Sequence, residues 1–163
     1  MITYIDGDLI KLAQEGHFDV IVHGCNCFST MGAGIAPQMA KAFGCDKFNM
    51  EKMGRTINKL GNIDYEYCAV PFSPESKDEK SMAVVNAYTQ HKYGSNHSDG
   101  DVAPFDYEAF TICMRKINQV FGGRIIGMPK IGAGLAGGDW NRIEKIIEKE
   151  LSNLKVVVVN YKP

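Results

Sequence analysis

His23-Gly24-Cys25-Asn26-Cys27-Phe28-Ser29-Thr30-Met31-Gly32-Ala33-Gly34-Ile35-Ala36 is the stretch that decides how this chain folds. Val20-Ile21-Val22 runs into it, an apolar β-branched triplet that reads as a buried strand. Pro37 to Phe43 follows and reads as a helix, with Pro37 in its first turn and Gly44 at its end. A strand therefore delivers small and polar residues to a glycine turn, and the turn opens a helix. The first N–H groups of a helix lack intrahelical partners and carry the positive end of its dipole, so such a turn suits an anion.

The turn has an echo. Gly32-Ala33-Gly34-Ile35-Ala36 recurs as Gly132-Ala133-Gly134-Leu135-Ala136, again after an apolar strand (Arg124 to Pro129) and before a helix (Trp140 to Leu151, capped by Asp139). Two such loops would clasp two linked phosphates from opposite sides, which is the arrangement expected here. Gly132, Gly134 and Gly137 also satisfy Gly-x-Gly-x-x-Gly, the dinucleotide fingerprint. That reading requires an acidic residue at the end of the next strand to hold the ribose, and the strand ends at Asn160. It is set aside.

Outward from these loops, the rest of the chain alternates strands with helices. Ile2 to Ile5 is a first strand, and Asp8 caps a short helix that starts near Leu9 and breaks at Gly16-His17. Asp19 to Gly24 is the second strand, Tyr65 to Val70 and Met82 to Thr89 are further strands around a Pro71 to Ser81 turn, and Met50 to Gly61 is irregular. Gln90 to Phe105 is a long loop rich in Gly and Ser, of the kind that closes over ligands. Asp106 caps an amphipathic helix with Phe110, Met114, Ile117 and Phe121 as its core stripe, ended by Gly122-Gly123. Lys155 to Asn160 is apolar enough to be buried on both faces. Alternation of this kind indicates an α/β layered fold, and 163 residues without an evident linker indicate a single domain over residues 1–163.

Composition narrows the function. Eighteen basic against 19 acidic side chains give a net charge of −1, which argues against a nucleic-acid binder with its basic stripe. No signal peptide and no apolar run of membrane-spanning length is visible, so a cytoplasmic protein with no membrane partner is expected, as a monomer. Cys25, Cys27, Cys45, Cys68 and Cys113 are an odd set without a secretory signal, hence reduced and mostly buried thiols. His23, Cys25 and Cys27 alternate along one strand, but Cys-x-x-Cys spacing and a second ligand pair are missing, so no metal site is expected. Nor does anything call for a cofactor. His23 is the one side chain of the central stretch whose ordinary pKa lies near neutrality, which marks it as a candidate acid or base.

Gly7-Asp8-Leu9, the Asn26 to Ala36 stretch, the second glycine loop and the terminal strand together resemble the macrodomain family across essentially the whole chain. Within it, His23 to Cys27 and Met31 to Ala36 are similar to the subgroup of ADP-ribose-1″-phosphate phosphatases and terminal ADP-ribose glycohydrolases. The resemblance implies a three-layer αβα domain with a mixed central sheet and ADP-ribose or ADP-ribose-1″-phosphate in a cleft at the strand ends. It implies that Asp8, beside Leu9, accepts the adenine amino group, that Asn160 or Tyr161 flanks the adenine, and that Asn26 bonds the distal ribose. Gly32, Ala33, Gly34 and Ile35 would lie along the diphosphate, with Gly132, Ala133, Gly134, Leu135, Ala136 and Gly137 closing from the other side. The lysine and loop acid of the glycohydrolases have no match at Thr89-Gln90 and Ala136, whereas the phosphatases share the His23 to Asn26 pattern and also lack both. The expected activity is hydrolysis of ADP-ribose-1″-phosphate with His23 and Asn26 as catalytic residues. The alternatives are an ADP-ribose-binding module without turnover, or a hydrolase that removes ADP-ribose from proteins or acetyl groups.

Overall fold

The computed structural model describes residues 1–27, 34–48, 59–90, 105–134 and 136–162. Strands β1 (Ile2–Gly7), β2 (Val20–Asn26), β3 (Ile63–Pro71), β4 (Glu79–Gln90), β5 (Ile125–Met128) and β6 (Lys155–Tyr161) form one sheet in the order β1-β6-β5-β2-β4-β3. Helices α1 (Leu9–Gln14), α2 (Ala36–Phe43), α3 (Tyr107–Phe121) and α4 (Trp140–Glu150) connect them, with a 3-10 turn at Cys45–Lys47. Five strands run parallel, and only β3 runs antiparallel, through its hairpin with β4. The mixed sheet that the resemblance implies is therefore present.

The layers follow from alternation along the strands. Val20 and Val22 of β2 face a core built with Phe110, Met114, Ile117 and Phe121 of α3 and Ile143 and Ile147 of α4. Ile21, one residue out of phase, faces the opposite core with Leu9 and Ala13 of α1 and Met39 of α2. Strand β6 does the same, with Val156 and Val158 on the first face and Val157 and Val159 on the second. A strand apolar throughout is what a parallel sheet covered on both sides requires. Each such side chain contributes on the order of 1.5–3 kcal/mol when fully buried.

The expected caps are in place. Asp8 accepts from the N–H groups of Ile10 and Lys11 at 3.0 and 3.2 Å, Asp106 from Ala109 at 2.9 Å and Asp139 from Asn141 at 3.0 Å. Strand β4 begins three residues before the Met82 expected from the sequence. The hairpin ladder continues through Pro71↔Glu79 and Val70↔Lys80, and the Lys80 ammonium is held by Asp19 at 3.0 Å. Ladder bonds and that ion pair outweigh the polar composition that reads locally as loop. The Met50 to Gly61 stretch and the long loop after Gln90 fall mostly outside the described residues. Among the described residues no helix is long and apolar enough to cross a membrane.

Candidate functional site

Because five strands are parallel, their carboxyl ends share one edge of the sheet, the place where open α/β sheets bind ligands. A cavity of about 450 Å³ opens there, within the usual range for small-molecule sites. The end of β6 supplies Val159, Asn160 and Tyr161, and the segment after β5 supplies Pro129 and Lys130. Leu9 comes from the start of α1, and Gly34, Ile35 and Gln38 from the start of α2.

The entry to α2 offers this cavity partial positive charge. Among the described residues no side chain caps the helix, its first turn holds no acid, and Pro37 takes the position where a missing N–H costs nothing. The positive end of α2 is thus left to whatever occupies the cavity. Gly34 turns the chain into the helix at φ 65°, a left-handed conformation open to glycine, and nothing lies within 4 Å of where a Cβ would stand. Among the described residues no acid lines the cavity, and Lys130 is the one charged lining side chain.

Of the residues expected at the site, Leu9, Gly34, Ile35, Asn160 and Tyr161 line this cavity. Asn160 donates to Asp6 Oδ1 at 3.4 Å, and Asp6 is paired with Lys162 at 3.3 Å, so the amide is oriented from outside. Asp8 lies next to Leu9, with Oδ1 engaged in capping α1. Gly32, Ala33 and Leu135 lie outside the described residues. Gln38, Pro129, Lys130 and Val159 also line the cavity and were not expected. Gln38 stands three residues after Ile35, on the same helix face, a spacing that offered one clue.

The second glycine loop is not the structural twin of the first. Helix α2 starts two residues after Gly34, whereas α4 starts six residues after Gly134 and has its own cap in Asp139. Gly134 is not left-handed; Gly132 and Gly137 are, at φ 78° and 76°. The loop spends N–H groups on itself, with Gly137 donating to Gly134 O at 3.0 Å and Gly138 to Gly132 O at 2.7 Å. Ala136 O accepts from Phe105 N at 3.1 Å. Gly132, Ala133, Gly134, Ala136 and Gly137 are not among the cavity-lining residues, and the segment reaches the cavity through Pro129 and Lys130 instead. The second loop thus differs from the first in construction: a self-bonded turn separates it from α4, whose end is capped by Asp139 as expected.

Strand alternation sends His23 and Asn26 to opposite faces of β2. Asn26, at the carboxyl end of the strand, is 6% exposed. His23 is 0% exposed and faces the core of α1 and α2. Its Nε2 donates to Asn86 Oδ1 at 2.7 Å, while the Asn86 amide donates to Cys45 O and Asp64 Oδ1, each at 2.8 Å. Tyr88 O–H donates to the other Asp64 oxygen at 2.6 Å. Burial holds the His23 pKa down at about 4, against a smaller upward pull from Asn86. Burial likewise raises Asp64, opposed by its bonds from Tyr88 and Asn86. His23 is not a lining residue, and direct acid–base contact with a ligand in the cavity does not fit this placement. Cys25 and Cys45 pack against the imidazole, at 3.4 and 3.6 Å from Nε2, and burial pushes the Cys45 thiol up to about 12. Among the described residues, no three His, Cys, Asp or Glu side chains gather as metal ligands.

No family model matches the chain. A 17.5 kDa protein of enterobacteria phage T4, from the tk-vs intergenic region, is 34% identical over all of this chain and 98% of its own length. An ADP-ribose 1″-phosphate phosphatase of Saccharomyces cerevisiae is 23% identical, over 96% of this chain and 97% of its own. The macrodomain of Thermus aquaticus DarG superposes with a TM-score of 0.63 at 22% identity, covering 100% of this chain and 99% of that one. Thermosipho africanus DarTG in complex with ADP-ribose gives a TM-score of 0.67 at 16% identity, covering 99% of this chain and 41% of that one. The chain therefore has the macrodomain fold, and it belongs to one family with the phage T4 protein.

Proposed function

We propose that the chain binds ADP-ribose in the strand-end cavity and hydrolyses ADP-ribose-1″-phosphate to ADP-ribose and phosphate. The observation that carries the binding is the N-terminus of α2, without a side-chain cap, opening on a cavity lined by Leu9, Ile35 and Val159 and, among the described residues, by no acid. Leu9, Ile35 and Val159 offer a base an apolar seat, and the helix end offers partial positive charge to a diphosphate. Support for the activity comes from the yeast relative's name and from the His23 to Asn26 pattern that the chain has in common with the phosphatase subgroup. In this reading Asn26 orients the distal ribose, Gly34 and Ile35 hold phosphoryl oxygens by their N–H groups, and His23 is a positioning residue that stiffens β2 from below through Asn86. Helix-end donors aimed at the transferring phosphoryl group lower the barrier without a charged protein nucleophile.

A second reading, binding without turnover, is favoured by one observation: no described lining residue has an ordinary pKa suited to base catalysis near neutrality. Incubation of purified protein with ADP-ribose-1″-phosphate separates the two. Release of inorganic phosphate at a rate proportional to enzyme is the expected result. Tight binding of ADP-ribose with no phosphate released would leave the binding module and reject the phosphatase.

A further inference from the structure

The segment between β5 and the second glycine loop meets the cavity with a lysine. Lys130 is exposed, lines the cavity and forms no ion pair among the described residues. Its Nζ rests 5.9 Å from the centre of the Trp140 ring, at the outer limit of a cation–π contact. Trp140 itself is held in place: its indole N–H donates to Tyr4 Oη at 3.0 Å, and Tyr4 O–H donates to the Glu144 carboxylate. So a long, solvated cationic arm stands at the cavity wall, resting loosely on a fixed aromatic ring.

We infer that Lys130 is the residue that selects for a charged diphosphate: it leaves the face of Trp140 and pairs with the anionic groups of a nucleoside diphosphate or its sugar ester. The inference rests on the proposed ADP-ribose reading but adds a determinant to it. Three features point the same way. The α2 N-terminus contributes only partial charge, roughly half an elementary unit, whereas a diphosphate carries about two. Among the described lining residues no other charged side chain makes up the difference. And lysine, a compact point charge on a flexible stem, suits phosphate oxygens whose position changes as the ligand settles. Leaving Trp140 costs little, because an exposed cation–π contact at 5.9 Å is weak.

Trp140 is the single tryptophan of the chain, so departure of Lys130 has its own optical signature. The experiment measures calorimetric affinity and tryptophan emission for ADP-ribose, ADP, inorganic pyrophosphate and adenosine, with the parent, Lys130→Met and Lys130→Arg. Lys130→Met keeps the apolar stem, and its melting temperature should equal the parent's because the side chain is exposed. Affinity for ADP-ribose and ADP should fall roughly tenfold or more in Lys130→Met and recover in Lys130→Arg, while adenosine binding stays the same. Emission should change when ADP-ribose binds the parent, and much less for adenosine or for Lys130→Met. If Lys130→Met binds ADP-ribose and ADP as tightly as the parent does, the role assigned to Lys130 is overturned and the ADP-ribose reading stands. If the parent binds ADP but not ADP-ribose, the ADP-ribose reading falls and the Lys130 comparison is decided on ADP. If the parent binds none of the anions, both fall.

Discussion

His23 shows at the scale of one residue how a catalytic-looking side chain becomes a structural one. The Asn86 amide spends both donors on Cys45 O and Asp64, which leaves its oxygen for His23 and fixes the histidine proton on Nε2. A second proton on this ring would be a buried charge, and burial holds the pKa down at about 4. Between that value and the ordinary histidine range the unfolded chain binds a proton that the folded one refuses, so stability rises with pH across this window and falls on acidification. The loss from this one group should be about 2 kcal/mol between pH 7 and pH 5. Asp64, raised by burial, acts in the opposite sense, losing stability as pH rises through its folded pKa. The His23 contribution is therefore read as a difference between proteins. Urea denaturation at both pH values should show His23→Gln less sensitive to acid than the parent by about that amount; equal sensitivity would mean that the ring is charged in the fold.

The two glycine loops set the lesson at the scale of elements. Their shared pentapeptide promised two matching helix entries, and only the first is one. What separates them lies outside the repeat. Pro37 and the absence of a capping side chain leave α2 open, whereas Asp139 closes α4. The second loop's glycines serve its own turn: a Cβ on Gly132 would stand 2.4 Å from the Phe105 ring, at a left-handed φ of 78°. Gly134 has ordinary φ and open space where its Cβ would be. Gly132→Ala should accordingly cost on the order of 2 kcal/mol or more in stability, whereas Gly134→Ala should melt within a degree or two of the parent. Thermal unfolding followed by circular dichroism checks both. Loss of ADP-ribose affinity in Gly134→Ala at unchanged melting temperature would show that the loop grips the ligand after all; unchanged affinity agrees with a turn that only carries Lys130 to the wall.

The same contrast explains what could be read in advance. Caps at Asp8, Asp106 and Asp139, the α3 stripe and the apolar β6 are written in local spacing, and the structure has each of them. Leu9, Gly34, Ile35 and Asn160 were legible because they border motifs. Pro129, Lys130 and Val159 were not, since they meet α2 only through the order β6-β5-β2, which places the ends of strands far apart in the chain side by side. The burial of His23 was hidden for a related reason: which face of β2 a residue takes is visible, but not which helices cover that face.

Over the whole molecule, a net charge of −1 offers no general attraction for a dianionic ligand, so the pull must be local, at the α2 N-terminus and Lys130. The cavity wall is assembled from the starts of α1 and α2 and the ends of β5 and β6, and it exists only when those four elements are docked. A ligand held there binds the folded chain and not the unfolded one, so it stabilises the entire fold by mass action. ADP-ribose at about 100 times its dissociation constant should contribute about 2.7 kcal/mol, a rise of roughly 5–10 °C in melting temperature for a chain of this size. The rise should grow with the logarithm of ligand concentration and should be smaller for adenosine, which fills the apolar seat but leaves the helix end unpaired. Differential scanning fluorimetry across a concentration series checks this. A melting temperature unmoved by millimolar ADP-ribose would remove the ligand from this cavity, because no binding confined to the folded state can leave the unfolding equilibrium where it was.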